Sequence, residues 1–194
     1  MRWTFRICLF LLAAWIVFAV SPYVALYRLS RAVEQRDAAA LGEYINFRAF
    51  RLSLTKQLLG EYLDRSALSR DMNPLDKKLA AEAGATAADP LVAQLLTPTA
   101  LIDLLDDGWP QQLLADAPEG RPLDLGFGGL RRAWRLYATS EARGFRTVLV
   151  SLPIDASAHD RYRLQLRLSG LTWRLSGVDL PPALLQKLGE RLPH

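Results

Sequence analysis

The run Arg161-Tyr162-Arg163-Leu164-Gln165-Leu166-Arg167-Leu168-Ser169-Gly170-Leu171-Thr172-Trp173-Arg174-Leu175-Ser176 decides the fold class. Tyr162, Leu164, Leu166 and Leu168 alternate with Arg161, Arg163, Gln165 and Arg167, a period of two that turns one strand face to a core and the other to water. Ser169-Gly170 reads as a two-residue hairpin turn, and Leu171, Trp173 and Leu175 continue the apolar face opposite Thr172, Arg174 and Ser176. Upstream, residues 145–152 and 131–140 read as two further strands. Pro181-Pro182 closes the sheet behind residues 171–180, and 183–194 is a short amphipathic tail.

Before residue 130 the apolar period is helical instead. Tyr23, Leu26, Tyr27, Ser30 and Val33 share a face, with Arg28, Arg31 and Glu34 opposite. Asp37 can cap a short helix, and Asn46 a longer one in which Phe47, Phe50, Leu54, Leu58 and Tyr62 form the stripe. Residues 69–90, Ala-rich and punctuated by Pro74, Gly84 and Pro90, read as a loop and a weak helix. Thr97-Pro98 is a cap followed by a first-turn proline, opening a helix through Leu101, Ile102, Leu104 and Leu105 that stops at Gly108. A Pro- and Gly-rich connection, 109–129, leads to the strands. Helices first and a meander afterwards predict an α+β fold, with helices packed on one face of a curved, roughly four-stranded antiparallel sheet.

The first element has its own signature. From Ile7 to Tyr27 there are 21 residues without a charge. As a helix they would span roughly 32 Å, against ~30 Å of hydrocarbon in a bilayer. Arg2 and Arg6 with the amino terminus give the positive flank of a signal anchor. A cleaved signal peptide is the rival, but its best site, Ala19-Val20-Ser21, would leave Pro22 first. A buried core helix is a third reading. At Ser21-Pro22 either a second helix starts or the membrane helix continues with a kink. Residues 1–28 are therefore expected to be a transmembrane anchor, 29–182 the globular domain and 183–194 the tail. The lipid bilayer is the partner of residues 7–27. The expected location is the inner membrane, single-pass, with the domain facing the periplasm.

Composition removes several chemistries. Hydrophobic residues make up 51% and charged residues 23%, which is globular rather than disordered. One Cys and two His leave no disulfide scaffold, zinc finger or Cys/His nucleophile, and no cofactor, metal site or catalytic set is predicted. Asp103, Asp106 and Asp107 cluster at a helix C-terminus, where negative charge opposes the helix dipole and asks for an Arg partner. His159-Asp160 sits in a loop and reads as exposed. Gly126-Phe127-Gly128-Gly129 lacks the Lys-Ser/Thr of a phosphate loop and reads as a turn. Arg161, Arg163, Arg167 and Arg174, with Arg135 and Arg146 near them, make a basic sheet face suited to solvent, anionic lipid or an acidic protein; a nucleic-acid partner is not expected outside the cytoplasm. Trp134, Tyr137, Phe145, Tyr162 and Trp173 read mainly as core. A cone-shaped fold would still leave an apolar cleft, and Trp134, Tyr137, Tyr162 and Trp173 with Arg135 are its candidate lining.

The motifs Ser21-Pro22-Tyr23-Val24-Ala25-Leu26-Tyr27, Arg36-Asp37-Ala38-Ala39-Ala40-Leu41, Leu96-Thr97-Pro98 and Leu171-Thr172-Trp173-Arg174-Leu175 resemble the bacterial family called domain of unknown function 2939. The resemblance runs from about Ser21 to Pro181. It implies a membrane-anchored or exported protein and supplies no catalytic residues. The element order is also similar to NTF2-like and cystatin-like folds, which by itself carries no function. The expected role is a non-catalytic binding or interaction domain, for a protein partner or a small amphipathic ligand. The alternative is an enzyme with a carboxylate site in a cone-shaped pocket, using Asp103 or Asp107.

Overall fold

The computed structural model describes residues 2–65, 74–111, 113–114, 123, 125, 130–157 and 159–191. The helices are α1 (Arg2–Glu34), α2 (Ala38–Tyr44), α3 (Phe47–Arg65), α4 (Pro74–Leu95), α5 (Pro98–Asp106), α6 (Leu130–Thr139) and α7 (Pro182–Gly189). The strands are β1 (Glu141–Ala142), β2 (Thr147–Leu152), β3 (Tyr162–Ser169) and β4 (Thr172–Asp179), in the order β1-β2-β3-β4 with every pair antiparallel. The architecture is α+β.

Helix α1 is unbroken, about 50 Å long at 1.5 Å per residue, and passes through Pro22. A proline has no N–H for the carbonyl four residues back, here that of Phe18. Ser21 supplies the missing donor, its Oγ lying 2.6 Å from the Phe18 oxygen. Trp173 Nε1 then donates to the same Ser21 Oγ at 2.7 Å, which joins the helix to β4. Of the two sequence readings at Ser21-Pro22, continuation is the one observed. From Trp3 to Phe18 the side chains are exposed, whereas Leu26, Leu29, Ala32 and Val33 are buried in the body. One helix thus serves as apolar rod at one end and core element at the other.

Helix α1 ends just before Asp37, the residue read from the sequence as the cap of the next helix. Arg36 takes a left-handed conformation, φ 51°, and the Arg36 and Asp37 amides bond the carbonyls of Val33 and Ala32. Asp37 then caps α2 by accepting from the Ala39 and Ala40 amides, both at 3.0 Å. Asn46 accepts from Ala49 N at the start of α3, and Thr97 caps α5. The α3 stripe delivers Phe50, Leu54 and Leu58 to the core, while Phe47 stays half-exposed and the side chain of Tyr62 lies outside the described ones. Residues 74–90, expected as loop and weak helix, belong to one continuous helix that runs on through Pro90 to Leu95. Ala is the strongest helix former, and burial of Ala88, Leu91, Val92 and Leu95 on one face outweighs the polar composition.

Helix α3 also solves the open edge of the sheet. A free strand edge leaves unpaired amides and carbonyls. The Gln57 side chain fills that role on β4, donating from Nε2 to the Val178 carbonyl at 2.7 Å and accepting at Oε1 from Leu180 N at 2.9 Å. Asn46 N adds a bond to the Leu175 carbonyl at 2.8 Å. A bulge at Ser176, where the β3–β4 register shifts between Gln165 and Leu166, bends the strand against α3.

Two sequence expectations are corrected. Residues 131–140, read as a strand, form most of α6; Leu, Arg and Ala dominate there, Thr139 is the one β-branched residue, and helix propensity wins. The β3–β4 turn is Gly170-Leu171 rather than Ser169-Gly170, because Ser169 pairs with Thr172 and Gly170 takes φ 64°. Leu171 is therefore at the turn tip, fully exposed, instead of on the apolar face. The tail folds as α7, whose Leu184 and Leu188 join the core.

Candidate ligand and membrane-facing site

Helix α6 lies alongside the outer half of α1. Trp15, Ile16, Ala19 and Val20 on α1 face Arg131, Trp134 and Arg135 on α6 across a cleft of about 900 Å³. At its inner end Tyr23 and Tyr137 pack with ring centroids 5.7 Å apart, Trp134 stacks on Tyr137 at the same separation, and the hydroxyls of Tyr23 and Ser140 bond. The lining is mostly carbon, with Arg131 and Arg135 among it. Such a surface takes an apolar chain with an anionic or polar end. Arg135 also reaches Asp155 at 3.4 Å, an exposed pair of little energetic weight.

Of the five candidate lining residues, the structure brings Trp134, Tyr137 and Arg135 together here. Trp134 is 69% and Tyr137 45% exposed, and Phe145 is 86% exposed, so the expectation that these three are mainly core is corrected. As a helix, 131–140 buries Leu136 toward the sheet and leaves the two rings on the outward side. Trp173 is buried and lies on the opposite flank of α1, packing on Phe18 at 6.2 Å and lining a second cleft of about 480 Å³ with Val17 and Val20. Tyr162 is elsewhere. Its hydroxyl donates to the Gly108 carbonyl inside the core, and burial pushes its pKa up to about 12. That hydroxyl is a tertiary lock between β3 and the end of α5.

The lining residues missed from the sequence are Arg131 and the α1 group of Trp15, Ile16, Ala19, Val20 and Tyr23. Helical spacing of Arg131, Trp134 and Arg135, three and four apart, was the signal available for the first. For the second there was none, since an apolar run has no marked face.

The aspartate cluster has the Arg partner that helix electrostatics asks for. Arg36 Nη2 donates to Asp103 Oδ1 at 3.1 Å, and Asp103 is 8% exposed in its side chain. Asp107 accepts from Gln111 Nε2 at 2.6 Å. Among the described residues no group of three or more His, Cys, Asp or Glu side chains could hold a metal ion. Asp106 has its pKa raised from the ordinary 3.8, first by desolvation and then by Asp107, with Arg36 opposing. The sign follows: the folded state binds this proton more tightly than the unfolded chain, so the contribution is present below about pH 4 and is lost as pH rises through the raised value. Asp106→Asn should therefore melt higher than the parent at neutral pH and show a weaker decline from acid to neutral. A thermal melt series in detergent reads this, and an unchanged pH slope would refute it. His159 and Asp160 are exposed in the β2–β3 loop, with Asp160 accepting from Ser157 at 2.7 Å. Residues 126–129 lie outside the described residues.

An α+β body carried on a long apolar helix is the class this geometry defines. Residues 11–104 match the family described as Protein of unknown function (DUF2939). The match runs from inside α1 to α5, so it includes three of the four motifs that carry the resemblance and stops before the strands. No curated protein and no solved structure matches the chain, and the similarity to NTF2-like and cystatin-like folds rests on element order alone.

Proposed function

We propose that this is a single-pass inner-membrane protein, anchored through residues 7–27, whose periplasmic α+β body binds a protein partner or a small amphipathic ligand without carrying out chemistry. One observation carries the reading. Helix α1 is the one described helix long and apolar enough by itself to cross a membrane, and it is continuous with the core of the body. Cleavage between Ser21 and Pro22 would separate Phe18 and Ser21 from Trp173, which packs on one and donates to the other. An uncleaved anchor keeps those contacts. The α1–α6 cleft, with its rings and two arginines, is the binding surface. The aspartates favour no catalytic reading, because Asp103 is held by Arg36.

Fractionation tests the location. The intact chain, with Met1 or Arg2 at its start by mass, is expected in the membrane pellet after alkaline extraction. The body should become protease-sensitive once the outer membrane is opened. Digestion that begins only after the inner membrane is breached would reverse the orientation, and a full-length chain in the aqueous fraction would remove the anchor.

A further inference from the structure

Leu52 and Phe47 on α3 apart, the large apolar side chains most exposed on the described body lie toward one end of it, beside α1. Trp134 is on α6, Phe145 at the tip of the β1–β2 turn and Leu171 at the tip of the β3–β4 turn, 69%, 86% and 100% exposed. The two turns share one end of the sheet, since Thr147 pairs with Arg167 and Leu168 N donates to the Arg146 carbonyl at 2.8 Å. On α1 the residues beside this end are Ile16, Val17 and Val20 next to Leu171, and Trp15 and Ala19 next to Trp134. All five belong to the uncharged run.

We infer that this end of the body is seated in the headgroup layer of an anionic phospholipid leaflet, with Trp134, Phe145 and Leu171 in the apolar zone and Arg146, Arg167 and Arg174 on the phosphates. The inference rests on the anchor reading and adds a depth and a lipid charge to it. If Tyr27 marked the water boundary, Ile16 would lie about 17 Å inside the bilayer and would take the arginines of α6 with it. The boundary therefore crosses α1 near Trp15–Ser21. Trp3 to Ala19, 17 residues and about 26 Å, then forms the span in place of residues 7–27, with Arg6 within one turn of its far end, where a long cationic side chain reaches back to the headgroups.

Charge supplies the second argument. Arg167 stands directly across from Arg174, and like charges opposite each other destabilise a sheet. Both line a polar hollow of about 230 Å³ with Arg146, Asn46 and Ser176, and its lining has no acidic side chain. Among the described residues none of these three arginines is in an ion pair. Guanidinium groups at the rim of an apolar tip are the arrangement that anionic headgroups neutralise.

The test uses the full chain in vesicles of phosphatidylcholine alone and of phosphatidylcholine with phosphatidylglycerol in equal parts. Nitroxide labels go on the native Cys8 and, in a Cys8→Ser background, on Phe145→Cys, Leu171→Cys and Gln35→Cys. Gln35 is exposed at the far end of α1, about 26 Å from Phe18. Relative collision with oxygen and with a water-soluble nickel chelate reports depth. Labels at 145 and 171 are expected to favour oxygen over the label at 35, more so with phosphatidylglycerol, and Arg167→Gln with Arg174→Gln should abolish that increase. Labels at 145 and 171 that behave like position 35, while Cys8 remains in lipid, overturn the inference and leave the anchor standing. Shielding of both from oxygen and nickel alike would also overturn it, in favour of a second copy or a protein on this face. Indifference to phosphatidylglycerol removes the anionic partner. A Cys8 label in water removes the anchor, and the inference with it.

Discussion

A version of the chain that begins at Ala38 is expected not to fold, although it retains every other helix and the whole sheet. It lacks Leu26, Leu29, Ala32 and Val33, all 3% exposed or less. Burying a Leu or Val side chain contributes roughly 1.5–3 kcal/mol, so the three larger ones supply about 4.5–9 kcal/mol. A domain's whole stability is about 5–15 kcal/mol. Leu41 on α2 and Leu101 on α5, the helices that α1 packs against, would lose apolar cover at the same time. A version beginning at Pro22 keeps all four and should fold in mild detergent. Circular dichroism melts and amide dispersion distinguish the two. A cooperative transition in the shorter version would show that the inner half of α1 is a passenger on the body. The expected boundary between anchor and domain at residue 28 falls inside this buried stretch, which is why a chain cut there would lose Leu26.

Gly108→Ala is expected to be the most damaging conservative substitution in the body. Gly108 has φ +74°, a conformation that L side chains rarely adopt. A Cβ there would lie 3.0 Å from the ring and the hydroxyl oxygen of Tyr162. The Tyr162 hydroxyl cannot simply swing away, because it donates to the Gly108 carbonyl. Backbone strain of about 1–2 kcal/mol and overpacking of about 1–3 kcal/mol combine to a loss of about 2–5 kcal/mol. In a chain of this size that lowers the melting temperature by roughly 4–20 °C. Tyr162→Phe by itself should cost about 1–2 kcal/mol through the unsatisfied carbonyl. The double variant should lose less than the sum, since the hydroxyl contact is removed once. Strict additivity in a thermal melt series would mean that the two residues do not interact as the geometry requires.

What the sequence determined by itself was local chemistry. Two-residue alternation placed β3 and β4 correctly, and the caps at Asp37, Asn46 and Thr97 marked three helix starts, because each depends on side chains within a few positions of one another. The uncharged run at 7–27 and the need for an Arg beside the α5 aspartates were legible for the same reason. Residues 131–140 were not: Trp134 and Tyr137 suit a strand, Leu and Arg suit a helix, and only packing of Leu136 on the sheet decides between them. Tertiary structure alone decided that Trp134, Tyr137 and Arg135 meet α1 while Tyr162 is spent on Gly108. It alone decided that Arg36 is the partner of Asp103, 67 residues away. These pairings join side chains far apart in the chain, and no period or spacing records which distant surfaces a folded core will press together.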